Sequence, residues 1–129
     1  MFKQLIRAMR PKQWAKNVFV FAGVVFDGRL ADMRAVVNSL AAFVVFCLIS
    51  GAIYLLNDLA DIEKDRQHPK KRFRPLASGA LSPRVALAAA VVAAVAYLAA
   101  VCVAIDAIEA AVAARADDLA SKEASGTLR

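Results

Sequence analysis

Apolar and charged residues along the chain alternate in blocks. The first apolar block runs from about Trp14 to Leu30, around the core Val18-Phe19-Val20-Phe21-Ala22-Gly23-Val24-Val25-Phe26. It is short for a membrane span, which needs about 20 residues. Trp14 is placed as an interfacial anchor, and Lys12 and Lys16 can snorkel toward headgroups. A basic start fits a signal peptide, but no clean small-x-small cleavage site follows, and Asp27-Gly28-Arg29 reads as a turn. A retained helix is the expectation.

The second block, Ala35 to Leu56, holds 22 residues without a charge. At about 1.5 Å per residue it crosses a hydrocarbon core of about 30 Å. Ser50-Gly51-Ala52 near its end is a small-residue patch suited to close helix packing. The third block, Val85 to Ile105, has 21 uncharged residues and is rich in Ala and Val. Ser82-Pro83 ahead of it supplies an N-cap and a proline at the first helical position. Its alanines suit packing against other helices better than contact with lipid. The pattern predicts an all-α, polytopic membrane protein with about three transmembrane helices. The bundle should occupy residues 1–105. Residues 106–129 should form a polar, Ala-rich helical extension to about Leu119, then a frayed tail from Ser121.

Composition sharpens this picture. Sixty per cent of the 129 residues are hydrophobic, which excludes a disordered tail and argues against a soluble enzyme. The net charge of +6 would suggest nucleic acid in a soluble chain. In a membrane chain it marks basic cytoplasmic loops facing anionic lipid or phosphorylated substrates, so no nucleic-acid partner is expected. Cys47 and Cys102 lie inside apolar blocks and read as buried thiols, with no disulfide or metal spacing. The positive-inside rule places the N-terminus, with Lys3, Arg7, Arg10, Lys12 and Lys16, and the loop Asn57–Arg84 in the cytoplasm of a cell (inner or plasma) membrane.

The polar loop carries the candidate chemistry. If the second helix continues at about 100° per residue, Asn57, Asp58, Asp61 and Asp65 share one arc and Glu63 points away. Three acids at a helix C-terminus oppose the helix dipole, a cost that argues for a purpose. Such oxygen ligands suit Mg²⁺, which is held by one or two carboxylates plus substrate phosphates. Next comes Pro69-Lys70-Lys71-Arg72-Phe73-Arg74-Pro75, a basic run between prolines that can neutralise a diphosphate. Gly79 suits a tight turn before the third block. His68 reads as a hydrogen-bonding loop residue, not a metal ligand.

The run Asn57-Asp58-x-x-Asp61-x-x-x-Asp65, followed by Arg74-Pro75-Leu76-Ala77-Ser78-Gly79, resembles the first signature of the UbiA prenyltransferase superfamily. Arg10-Pro11-Lys12-Gln13-Trp14-x-Lys16-Asn17 and Asp65-Arg66-x-His68-Pro69-x-Lys71-Arg72-x-Arg74-Pro75 are most similar to its decaprenyl-phosphate phosphoribosyltransferase branch. The resemblance implies a polytopic helical transferase that moves phosphoribose from phosphoribosyl diphosphate to a polyprenyl phosphate, for arabinan precursors of a cell wall. It implies Mg²⁺ held by Asn57, Asp61 and Asp65, with Asp58 either ligating or orienting a base. It also implies phosphate binding by Lys70, Lys71, Arg72 and Arg74, and contact of Lys12 and Lys16 with the lipid phosphate. Two other readings stay open: prenyl transfer to an aromatic acceptor, and a non-catalytic three-helix protein that binds phosphorylated lipid or assembles as an oligomer. The family has more membrane helices and a second polar motif. These three blocks therefore correspond to its N-terminal part, as expected of a fragment or truncated gene product.

Overall fold

The computed structural model describes residues 1–126, in two compact units, Met1–Tyr97 and the residues from Leu98 onward. The described residues contain helices and turns and no strand. In chain order the α-helices are α1 (Phe2–Ala8), α2 (Pro11–Trp14), α3 (Ala22–Phe26), α4 (Met33–Ala60), α5 (Ile62–Gln67) and α6 (Pro83–Ala124). Two 3₁₀ segments, Ala15–Phe21 and Lys71–Phe73, complete the set.

Helices α4 and α6 are long and apolar enough to cross a membrane. Asp32 caps α4, its carboxylate accepting from the amides of Arg34 (3.0 Å) and Ala35 (3.3 Å). Ser82 caps α6, as its position before Pro83 predicts, with Oγ accepting from the Val85 amide at 3.4 Å.

The first apolar block is not one regular α-helix. It runs through α2, the seven-residue 3₁₀ stretch Ala15–Phe21 and α3, with right-handed helical backbone at both junctions. A 3₁₀ helix rises about 2.0 Å per residue against about 1.5 Å for an α-helix, so Pro11–Phe26 reaches roughly 27 Å, close to the hydrocarbon thickness. The stretch packs along α4. The Asn17 amide donates to Ser50 Oγ (3.4 Å) and approaches Cys47 Sγ (3.5 Å), and Phe21 meets Phe43 at 5.6 Å between ring centroids. Rising numbers on one side meet falling numbers on the other, so this segment and α4 run antiparallel.

The core of the first unit joins Ala8 and Met9 to Ala52 and Leu55 of α4, to Leu76 and Leu81 of the loop, and to Ala86, Ala90 and Ala93 of α6. Trp14 belongs partly to this core, and its indole N–H donates to the Met9 carbonyl at 3.1 Å. It is therefore more than an interfacial anchor. Gly51 permits the approach of Met9: a Cβ there would lie 2.5 Å from Met9 Cε and 3.0 Å from Met9 Cβ.

In the second unit every residue from Cys102 to Gly126 is exposed. Cys47 is buried as expected and Cys102 is not. Helix α6 continues past Leu119 to Ala124, so the expected tail begins later than Ser121, and its last residues, 127–129, lie outside the described residues.

Candidate functional site

The site forms where the N-terminal segment and the polar loop meet the same end of α4. Helix α1 stops at Ala8, and Arg10 takes the left-handed conformation (φ 54°, ψ 65°) before Pro11 starts α2. That conformation is unfavourable for a non-glycine residue, and doubly so ahead of proline. Three contacts over-determine it. Met9 is locked against Gly51, the Arg10 guanidinium donates to Asp58 Oδ1 at 2.6 Å, and its carbon lies 4.6 Å from the Tyr54 ring centroid. Tyr54 and Asp58 are four apart on α4 and so share a face.

Arg74 completes the cluster. Its Nη1 donates to Asp65 Oδ2 at 2.7 Å and to Asp58 Oδ1 at 3.2 Å. The Asp58 and Asp65 side chains are each only 3% exposed. Two carboxylates buried together repel, and each loses its hydration; a guanidinium shared between them offsets both costs. The loop is built to deliver that group. Pro75, Leu76 and Ala77 are buried, the Ser78 amide donates to the Arg74 carbonyl (2.9 Å), and the Leu81 amide donates to the Pro75 carbonyl (2.9 Å). Gly79 takes φ +79°, the turn its position suggests. Arg66 ties the loop to α5 by donating from Nε to the Ala77 carbonyl (3.2 Å) and pairing with Glu63 (2.8 Å). His68 Nδ1 accepts from the amides of Lys70 (3.2 Å) and Lys71 (3.3 Å), the loop role expected of it.

The four residues expected on one helix stripe divide between two environments. The helix breaks at Asp61 (φ −102°, ψ 13°), between α4 and α5. Asp58 and Asp65 turn inward onto arginines. Asn57 is exposed, and Asp61 is 47% exposed with Lys64 Nζ 3.4 Å away. Among the described residues no three His, Cys, Asp or Glu side chains converge on a metal-sized point. The oxygen-donor set therefore does not form a closed protein cage. It fits an open site, because Mg²⁺ takes one or two carboxylates and completes its shell with water and substrate phosphate, and Asp61 beside Asn57 is available for that.

Of the expected phosphate ligands, Lys70 and Arg74 line a cleft of about 170 Å³ together with Arg7, Ala8, Arg10, Asp58, Phe73 and Pro75. Lys12 lines an adjoining groove with Arg7, Arg10, Pro11 and Gln13. Lys16, Lys71 and Arg72 are exposed outside both, Arg72 lying over the Phe73 ring at 4.9 Å. Arg7 and Arg10 were not among the expected ligands. Their spacing of three residues was readable, but the left-handed turn that brings Arg10 back onto α4 was not.

An all-helical integral membrane protein, with a cationic cleft and buried carboxylates at one helix end, is the class that fold and site define. The sequence model of the UbiA prenyltransferase family matches residues 17–115, and the chain belongs to that family. Members of the family generally work with a divalent metal. The decaprenyl-phosphate phosphoribosyltransferase of Corynebacterium glutamicum is 49% identical over 89 residues, which cover 67% of this chain and 27% of that protein. The protein of the same name from Mycolicibacterium smegmatis is 51% identical over 83 residues, covering 58% and 25%. That from Mycobacterium tuberculosis is 45% identical over 92 residues, covering 68% and 30%. The chain thus spans between a quarter and a third of the length of these curated relatives.

Proposed function

We propose that this chain is the N-terminal part of a membrane transferase that moves phosphoribose from phosphoribosyl diphosphate to a polyprenyl phosphate. The observation that carries the reading is the Arg10–Asp58–Arg74–Asp65 cluster beside a cationic cleft, in a chain 49% identical over 89 residues to a decaprenyl-phosphate phosphoribosyltransferase. In this reaction the bond between the sugar's anomeric carbon and the diphosphate breaks. An oxygen of the lipid phosphate bonds to that carbon, and diphosphate leaves with the electron pair. Positive charge develops on the sugar and negative charge on the leaving group, so stabilising the diphosphate is the protein's main electrostatic task.

In this reading Lys70, Lys71, Arg72 and Arg74 bind the diphosphate, and Lys12 and Lys16 meet the lipid phosphate at the interface. The metal would be Mg²⁺, which Asn57 and Asp61 at the open face would hold and which would supply charge neutralisation on the diphosphate, while Asp65, expected as a third ligand, is taken up by Arg74. Asp58 positions Arg10 and Arg74. The chain crosses the cell membrane more than once with its N-terminus in the cytoplasm. Pairing of Arg10 with Asp58 supports a common side for the N-terminus and the polar loop. Residues 1–105 form the bundle part and residues 106–124 a polar helical extension.

A chimera tests the function. The matched residues of the Corynebacterium glutamicum relative are replaced by those of this chain and the product is assayed with phosphoribosyl diphosphate, Mg²⁺ and decaprenyl phosphate. Phosphoribosyl-lipid is the expected product, with Asp61→Asn lowering turnover at least about tenfold, the loss expected for one charge-assisted contact. A folded chimera that prenylates an aromatic acceptor, or that transfers nothing, overturns the reading.

A further inference from the structure

We infer that Arg7 is a further phosphate ligand in the cleft between the N-terminal segment and the basic loop, beside Lys70 and Arg74, to which the proposed function already gives that role. This deepens the proposed function, on which it rests only for the origin of the phosphate. The cleft itself is argued from charge and size. Its lining brings together four cations, Arg7, Arg10, Lys70 and Arg74, from two segments far apart in the chain. The carboxylates within reach are already committed: Asp58 accepts from Arg10 and Arg74, and Asp65 from Arg74. Arg7 and Lys70 enter no ion pair among the described residues. With Asp58 and Asp65 set against the four cations, two positive charges remain, the complement of a dianion.

Geometry favours phosphate over a simple carboxylate. Guanidinium forks bind phosphate oxygens in pairs of parallel hydrogen bonds, and Arg7 offers one that is not already engaged. Ala8, Phe73 and Pro75 are the apolar members of the cleft's lining, which is otherwise charged. Its volume of about 170 Å³ falls below the roughly 300 Å³ at which pockets begin to enclose whole small molecules. The cleft therefore takes the anionic end of a ligand and leaves the remainder outside.

Both the diphosphate of a soluble donor and the phosphate of a lipid have this chemistry. The test uses the full chain in uncharged detergent at low salt, with inorganic diphosphate as the probe in isothermal titration. Arg7→Gln is expected to weaken diphosphate binding about tenfold or more, the loss typical of one charge-assisted contact. Arg7→Lys should lose less. Lys122→Gln, outside the cleft, should stay within about twofold of wild type. Because Arg7 is exposed, thermal unfolding of Arg7→Gln should match wild type, which separates lost binding from lost fold. A short-chain polyprenyl phosphate then competes for the site. Displacement of diphosphate assigns the cleft to the lipid end, failure to displace assigns it to the soluble donor, and either upholds the anion site. No binding to wild type, or equal binding to wild type and Arg7→Gln, overturns it. None of these readouts measures transfer, so the cleft and the proposed reaction stand or fall separately.

Discussion

Two charged stretches follow apolar helical turns in this chain, and they use their charges differently. From Asn57 to Gly79, beside the one-turn pairs Lys64–Asp61 and Arg66–Glu63, carboxylates pair with arginines 48, 16 and 9 residues away: Asp58 with Arg10 and Arg74, and Asp65 with Arg74. The two central carboxylates are buried. From Asp106 to Ala124, every residue is exposed, and the ion pair there is local, Lys122 with Asp118 one turn away. A similar density of charge thus makes a fixed constellation in one place and a solvated helix surface in the other. What separates them is burial, which makes an unpaired charge costly and so forces a single arrangement.

The largest test of that contrast is Asp58→Asn. It keeps the shape, removes the charge that Arg10 and Arg74 share, and leaves both guanidiniums facing a neutral amide. Breaking a fully buried pair from one side costs about 3–5 kcal/mol. With both guanidiniums partly exposed and Arg74 keeping Asp65, the loss should lie at or just below the low end of that range, and thermal unfolding in detergent should fall by several degrees. A loss no larger than that of a surface substitution would make the cluster as inconsequential as the second stretch.

A smaller loss is expected from Gly51→Ala. The added methyl pushes Met9 out of place, and overpacking costs about 1–3 kcal/mol. Since Met9 precedes Arg10, the substitution should also loosen the Arg10–Asp58 pair and raise amide hydrogen exchange over residues 9–14 before the rest of the chain. Unchanged exchange there would show that the arginine holds its place without the packing beneath it.

Asp118→Asn should do almost nothing, at most about 0.5 kcal/mol, as for other exposed pairs one helical turn apart. Its effect should vanish in high salt, whereas that of Asp58→Asn should persist. A loss comparable to Asp58→Asn would erase the distinction between the stretches.

The smallest effect concerns Asp32, an exposed cap. The Arg29 guanidinium, and after it the amide of Ala35, hold its carboxyl below the usual carboxylate range. A depressed folded-state value contributes stability above the unfolded value, and that contribution is lost as pH falls through the folded value. Asp32→Asn should therefore remove a slight part of the acid-side loss of thermal stability and leave the neutral range nearly unchanged. A slope identical in wild type and Asp32→Asn would show that the cap is not felt by the fold as a whole.

Much of the fold was legible without coordinates because hydrocarbon imposes a simple rule: backbone polar groups must be satisfied within the segment, so long uncharged runs become helices. The uncharged run Ala35–Leu56 within α4 follows from that rule, and the start of α6 at Pro83 from the cap Ser82, whereas the cap Asp32 of α4 emerged only in the structure. The turn at Gly79 and the loop role of His68 were equally readable, being local chemistry. The 3₁₀ stretch Ala15–Phe21 was not, since its apolar residues fit either helix type, and what accompanies the choice is its path along α4, marked by Asn17 near Ser50 and Cys47.

For the site, the residue types and their family were readable from the Asn57–Gly79 run, because oxygen ligands and basic residues at those spacings already limit the chemistry. Which carboxylates turn inward was not. Helical periodicity placed Asn57, Asp58, Asp61 and Asp65 on one arc, whereas the break at Asp61 and the pull of Arg10 and Arg74 drew Asp58 and Asp65 inward and left Asn57 and Asp61 outward. Periodicity depends on the backbone of one helix. The pairing of charges 48 residues apart depends on where another segment docks, and here that rests on a glycine opposite a methionine, Gly51 and Met9.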